Sequence, residues 1–180
     1  AGIRPDLHVE MERTALTYEV LIEALPREYM KQIDLVTTQV MAPQVIDLFR
    51  SARIAIKEAD TMGNLLAGQG FIERPALETQ PTVTNMGLSL ALTLGFRQVC
   101  LFGVDVGYKD VTRHHAQQTV YHARQPTEDR LRRLLSNVAT QGLTAPGNFG
   151  GEVKTNFMFE TARLHLSQWV RAYAQAKVYN

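Results

Sequence analysis

The sequence predicts an α/β domain built on a doubly wound, mostly parallel sheet of the Rossmann-like kind. Two observations carry that expectation. Short apolar runs of strand length, at residues 7–11, 33–38, 53–56 and 99–102, alternate with segments of helical pattern. Strands and helices that alternate in this way form parallel sheets joined by right-handed crossovers. In addition, 180 residues with 45% hydrophobic and 21% charged side chains can bury a core of ordinary domain size.

The totals also exclude function classes. A net charge of +1 argues against a nucleic-acid binder that works through bulk charge. Cys100 is the only cysteine, so there is neither an internal disulfide nor a cysteine metal cluster, and a reducing, cytoplasmic compartment is expected. No apolar run approaches membrane-spanning length and no signal peptide is visible. The chain opens on Ala1 with no Met and closes on a strand-like Lys177-Val178-Tyr179-Asn180. Residues 1–180 are therefore expected to be a single α/β domain excised from a longer protein.

Arg4-Pro5-Asp6 reads as a turn and 7–11 as the first strand. Glu12 and Arg13 follow at its carboxyl end, with Thr14 available to cap a helix over 15–24. Glu12 is a candidate pocket carboxylate on the sheet edge, or simply a solvated acid favoured by the helix dipole. Residues 33–38 read as the next strand, Pro43 starts a helix and 53–56 form a third strand. Residues 57–80 read as loop or broken helix, because Met62-Gly63-Asn64 and Ala67-Gly68-Gln69-Gly70 interrupt the pattern.

Residues 81–108 organise the rest. Thr82 or Thr84 caps a helix made apolar nearly all round by Met86, Leu88, Leu90, Ala91, Leu92 and Leu94, and Gly95 supplies a left-handed stop. Residues 99–102 then read as a strand from a sheet covered on both faces. It ends in Gly103-Val104-Asp105-Val106-Gly107-Tyr108, placing small residues, a carboxylate and a phenol where open α/β sheets bind ligands. The helix start, with Thr84 and Asn85 beside its free N–H groups, suits a phosphate. Local turn and cap chemistry explains the same residue types without a ligand.

Beyond Tyr108 comes a long polar insertion holding His114, His115, Tyr121, His122 and several arginines, with a short helix over 128–135. Such insertions often serve as lids or binding loops. Adjacent histidines point apart, so a helical zinc pair is not expected there. A second glycine-rich approach, Pro146 to Asn156, leads into a helix capped by Thr155 or Asn156. Lys154 beside that helix start is electrostatically out of place unless it meets an anion or points to water.

Several of these stretches together resemble one family. Gly2-Ile3-Arg4-Pro5-Asp6, Val9-Glu10-Met11-Glu12-Arg13, Pro81-Thr82-Val83-Thr84-Asn85, Leu94-Gly95-Phe96, Gly103-Val104-Asp105, His115-Ala116 and Gly147-Asn148-Phe149-Gly150-Gly151-Glu152-Val153-Lys154-Thr155-Asn156 look like motility-associated factors. These are bacterial glycosyltransferases implicated in adding nonulosonic (sialic-acid-like) sugars to flagellin. The resemblance covers almost the whole chain, as the central catalytic-type domain of a longer protein. The same superfamily includes archaeal 6-hydroxymethylpterin diphosphokinases, so fold membership does not settle the reaction. A similarity also reaches bacterial sialyltransferases that use CMP-sialic acid; where their catalytic histidine is placed, this chain has Glu152.

The resemblance implies a CMP-activated donor, a flagellin Ser or Thr hydroxyl as acceptor, and no required cofactor or metal. It implies Glu152 or His115 as the base, with Asp105 binding a sugar or ribose hydroxyl or orienting another side chain. Thr84, Asn85, Lys154, Thr155 and Asn156 would hold nucleotide and phosphate, helped by Tyr108 and Gly103, with Glu12 lining the pocket. The competing enzyme reading is diphosphate transfer from ATP, in which Asp105 and Glu12 hold magnesium. A non-catalytic nucleotide-binding or flagellin-docking module is the third reading. A homo-oligomer is compatible with all three.

Overall fold

The computed structural model describes residues 3–57, 61–71, 78–110 and 142–180. The chain is mixed α/β and divides into two compact units, Ala1–Phe96 and Arg97–Asn180.

The first unit is built on a three-stranded parallel sheet in the order β1 (Leu7–Val9), β2 (Asp34–Thr38), β3 (Ser51–Ala55). β1 is shorter than the apolar pattern suggests, because the Glu10 carboxylate takes over the following backbone. Its Oε1 accepts from the amides of Met11 (2.8 Å) and Glu12 (2.9 Å) and turns the chain out of the sheet. Helix α1 (Leu16–Ala24) then begins without a side-chain cap from Thr14. Glu12 instead braces the chain just ahead of the helix. Its carboxylate accepts from Thr14 N–H at 3.3 Å and its carbonyl from the Thr17 hydroxyl at 3.4 Å.

A short α2 (Arg27–Met30) and α3 (Pro43–Ile46, with Pro43 in the first turn) complete the connections around β2. Their apolar sides close over one face of the sheet. Leu21, Met30, Ile33, Leu35, Met41, Val45, Leu48 and Phe49 form the buried cluster. A bidentate Arg50 guanidinium and the Ser51 hydroxyl grip Asp34 at the foot of β2 and hold its carboxyl well below the usual range.

Residues 61–68 form α4 (Thr61–Gly68). Met62, Leu65 and Leu66 on it are exposed. α5 (Val83–Thr93) packs against β1 and buries Asn85, Met86, Leu88, Ser89 and Leu92. Its stop is a Schellman motif, with Gly95 N–H donating to Leu92 O and Phe96 N–H to Ala91 O. Gly95 sits at φ 87°, in the left-handed region that this motif requires.

In the second unit, β4 (Gln98–Cys100) pairs in parallel with β7 (Lys177–Tyr179). The expected strand over 99–102 is thus shifted and shortened, and it is not covered on both faces. Gln98 and Cys100 are exposed and Phe102 is 89% exposed. The glycine-rich approach is an antiparallel hairpin of β5 (Leu143–Pro146) and β6 (Glu152–Thr155), which leads straight into α6 (Phe157–Ala172). No helix among the described residues is long and apolar enough to cross a membrane. The insertion at 111–141, including His114, His115 and the helix expected over 128–135, lies outside the described residues.

Candidate functional site

The candidate residues fall into a group in each unit. In the first unit they lie at the carboxyl ends of β1 and β2 and at the start of α5. Thr82, not Thr84, caps α5, and the cap is reciprocal. The Asn85 side-chain oxygen accepts from Thr82 N–H at 3.3 Å and from the Thr82 hydroxyl at 2.7 Å. Asn85 is 1% exposed, so its amide is part of the helix start rather than a free arm. Thr84, at the second helical position, is half-buried. Glu12 is exposed and occupied with the start of α1, which matches a solvated helix-start acid.

A further carboxylate at this edge is that of the half-buried Glu10, to which the sequence assigns no role. Its Oε2 lies 4.0 Å from His8 Nε2. His8 stacks on Phe49 with ring centroids 5.0 Å apart. Burial pushes the His8 imidazole below its ordinary range, and the nearby Glu10 charge opposes that shift.

Three further residues carried no signal strong enough to be named beforehand. Thr37 and Thr38 are wholly buried, and their hydroxyls have no hydrogen-bond partner among the described residues. The buried Nε2 of Gln39 has none either, although its Oε1 accepts from Lys57 N–H at 2.9 Å. The available clue was local: Leu35 and Val36 give way to Thr37, Thr38 and Gln39 at the carboxyl end of the strand.

In the second unit the structure brings several sequence-derived candidates into one assembly. Tyr108 and Lys154 exchange backbone hydrogen bonds, Tyr108 N–H to Lys154 O at 2.8 Å and Lys154 N–H to Tyr108 O at 2.9 Å. The Thr155 hydroxyl donates to Val106 O at 2.9 Å, and the Tyr108 phenol donates to Thr155 O at 3.4 Å. Tyr108 also meets Phe159 edge-on. These bonds sew the loop carrying Gly103 and Asp105 to the strand that opens α6. Tyr108 (5% exposed) and Thr155 (2%) are fasteners of that loop rather than free ligands.

Gly107 permits the approach, since a Cβ there would lie 2.7 Å from Val153 Cγ2 and 3.2 Å from Lys154 O. Asp105 itself is exposed, as is Gly103, whose φ is 66°.

Glu152 and Lys154 are both exposed and two residues apart on β6, so they share one face. Asn156 caps α6, its side-chain oxygen accepting from Phe159 N–H at 2.9 Å. Its Nδ2 is buried without a partner among the described residues. This segment therefore offers an exposed carboxylate, an exposed ammonium and the positive end of a 16-residue helix. His115, the other candidate base, lies outside the described residues. Among the described residues, no three His, Cys, Asp or Glu side chains gather as metal ligands.

The profile of a family described as 6-hydroxymethylpterin diphosphokinase MptE-like matches residues 1–111. Among solved structures, the chain is similar to the MAf glycosyltransferase from Magnetospirillum magneticum AMB-1, with 28% sequence identity and a TM-score of 0.71. That match covers 98% of this chain and 24% of the other, so the chain spans about a quarter of the solved protein's length. No curated relative matches the sequence.

Proposed function

The chain belongs to the 6-hydroxymethylpterin diphosphokinase MptE-like family, and from that premise we propose that it is the sugar-transferring domain of a motility-associated factor. It moves a nonulosonic sugar from a CMP-activated donor to a Ser or Thr hydroxyl of flagellin. The observation that carries this reading is the similarity to a MAf glycosyltransferase over nearly the whole of the chain. The parallel strands are taken as parts of a Rossmann-like, doubly wound sheet similar to that of bacterial sialyltransferases. On the same reading flagellin is the protein partner and the cytoplasm the compartment.

In such a transfer the bond from the sugar's anomeric carbon to the CMP phosphate oxygen breaks. The acceptor oxygen bonds to that carbon, and its proton passes to a base. Lys154 and the α6 start complement the departing phosphate, which gains charge as the bond breaks. Glu152 or His115 accepts the proton, and Asp105 holds a sugar or ribose hydroxyl. Tyr108, Thr155 and Gly107 act by holding the Asp105 loop to β6.

Calorimetric titration of the 180-residue chain with CMP tests the donor class, heat of binding being the expected result. No heat with CMP but binding of ATP with magnesium would overturn it.

The description of the matching family supports a second reading, diphosphate transfer from ATP to a hydroxymethylpterin. There magnesium arrives with the nucleotide, whose phosphates and an exposed carboxylate such as Asp105 would supply its oxygen donors. Turnover of a hydroxymethylpterin with ATP and magnesium separates the two reactions.

A further inference from the structure

Turn residues are mostly small or polar, because a turn needs backbone freedom and meets water. The hairpin of β5 and β6 departs from that rule at one position. Its strands close on the Pro146–Glu152 pair, and residues 147–151 form the tip. Gly150 N–H donates to Gly147 O at 3.0 Å and Gly147 N–H to Gly151 O at 2.9 Å, so backbone bonds fix the turn. Gly150 and Gly151 take φ of 87° and 71°, which other residues rarely adopt. A Cβ on Gly147 would lie 3.0 Å from Gly150 O. The glycines thus shape the tip, and Phe149 is 105% exposed on it. A ring exposed to that degree buries no apolar surface within the hairpin.

Its neighbours supply the context. Glu152 and Lys154, both exposed on one face of β6, follow on the same hairpin. The chain between Phe149 and Glu152 spans at most about 11 Å. The transferase reading puts the departing phosphate at Lys154 and a candidate base at Glu152, so the acceptor hydroxyl must reach this strand. A polypeptide acceptor brings the side chains beside its Ser or Thr to the same place. We propose that Phe149 is a docking residue for the acceptor polypeptide, holding an apolar side chain close to the hydroxyl that is glycosylated. An aromatic ring on a fixed backbone offers large contact area at low entropy cost, and such rings carry much of the energy of protein interfaces. The inference rests on the transferase reading given above and adds a residue which that reading did not use.

The probe is flagellin monomer from the organism that encodes this chain, titrated against the 180-residue protein. Phe149→Ser should weaken flagellin binding about tenfold or more, the loss expected of an aromatic anchor. Phe149→Tyr keeps the ring and should bind flagellin like the wild type. Both variants should melt with the wild type, because an exposed ring has no packing to lose. Their heat of binding with CMP should also be unchanged, since the ring serves the acceptor and not the donor.

Phe149→Ser that binds flagellin as tightly as the wild type overturns the docking role while leaving the transferase reading in place. So does a Phe149→Ser that melts clearly lower, since the ring would then be packed within the fold. A variant that turns an oligomer into a monomer also overturns it, because a second copy of the chain would then cover the ring. A wild type that takes CMP but not flagellin overturns the docking role and keeps the donor class. One that binds flagellin through Phe149 but takes ATP with magnesium and not CMP keeps the docking role and overturns the donor class. A wild type that binds neither flagellin nor CMP overturns both.

Discussion

Gly107→Ala tests the fastening of the Asp105 loop to β6. The added methyl would meet Val153 Cγ2 at 2.7 Å, a separation that real side chains do not adopt, and Lys154 O at 3.2 Å. Two responses are open to the structure. Val153 can move, but a β-branched side chain in a strand has few alternative rotamers, and overpacking of this kind costs about 1–3 kcal/mol. Alternatively the Tyr108–Lys154 bridge opens and gives up its two backbone hydrogen bonds, each worth about 0.5–1.5 kcal/mol net.

Both routes lead to the same size of loss, about 1–3 kcal/mol. Urea unfolding measures it as a lower midpoint. Val153→Ala in the Gly107→Ala background should restore part of the loss by removing the opposing methyl, with a coupling of about 0.5–3 kcal/mol between the two sites. CMP affinity should fall with Gly107→Ala and recover in the double variant if the loop positions Asp105. Unchanged stability in Gly107→Ala, or additive losses in the double variant, would refute the close approach.

Gly95→Ala forces a Cβ into a left-handed position at φ 87° and should cost about 1–2 kcal/mol in an unfolding titration. Asn156→Ala removes the acceptor for Phe159 N–H, so a loss of about 1 kcal/mol is expected, seen as a lower urea midpoint. His8 has a folded pKa below its unfolded value because of burial, with Glu10 opposing. Its contribution is therefore complete above about pH 6.5 and is lost as pH falls through the folded pKa. His8→Phe should flatten the stability profile below about pH 6.5, compared with the wild type in urea.

Most of the first unit was legible in the residues because its signals are local. The Thr82 cap, the Gly95 stop and Pro43 in the first turn of α3 each act within a few residues of themselves. The stretch from Ile33 to Thr38 needed only its β-branched content to mark a strand. Glycines between Pro146 and Glu152 concealed a hairpin, because pairing of β5 with β6 is visible only when both strands are in place. Thr14 meets α1 through its carbonyl, which accepts from Thr17 N–H, and the cap position falls on Ala15, which has no side-chain acceptor.

Residue by residue, the sequence by itself determined which chemistry is available: a Gly-x-Asp-x-Gly loop, a Lys-Thr-Asn helix start, and a family resemblance that spans nearly the whole chain. Tertiary structure decided which of those groups are spent on the fold. Asn85, Tyr108 and Thr155 became fasteners, and Thr37, Thr38 and Gln39 emerged as buried polar groups left over. The physical reason is that hydrogen-bond satisfaction depends on neighbours distant in sequence, such as Val106 for Thr155, and spacing along the chain does not encode them.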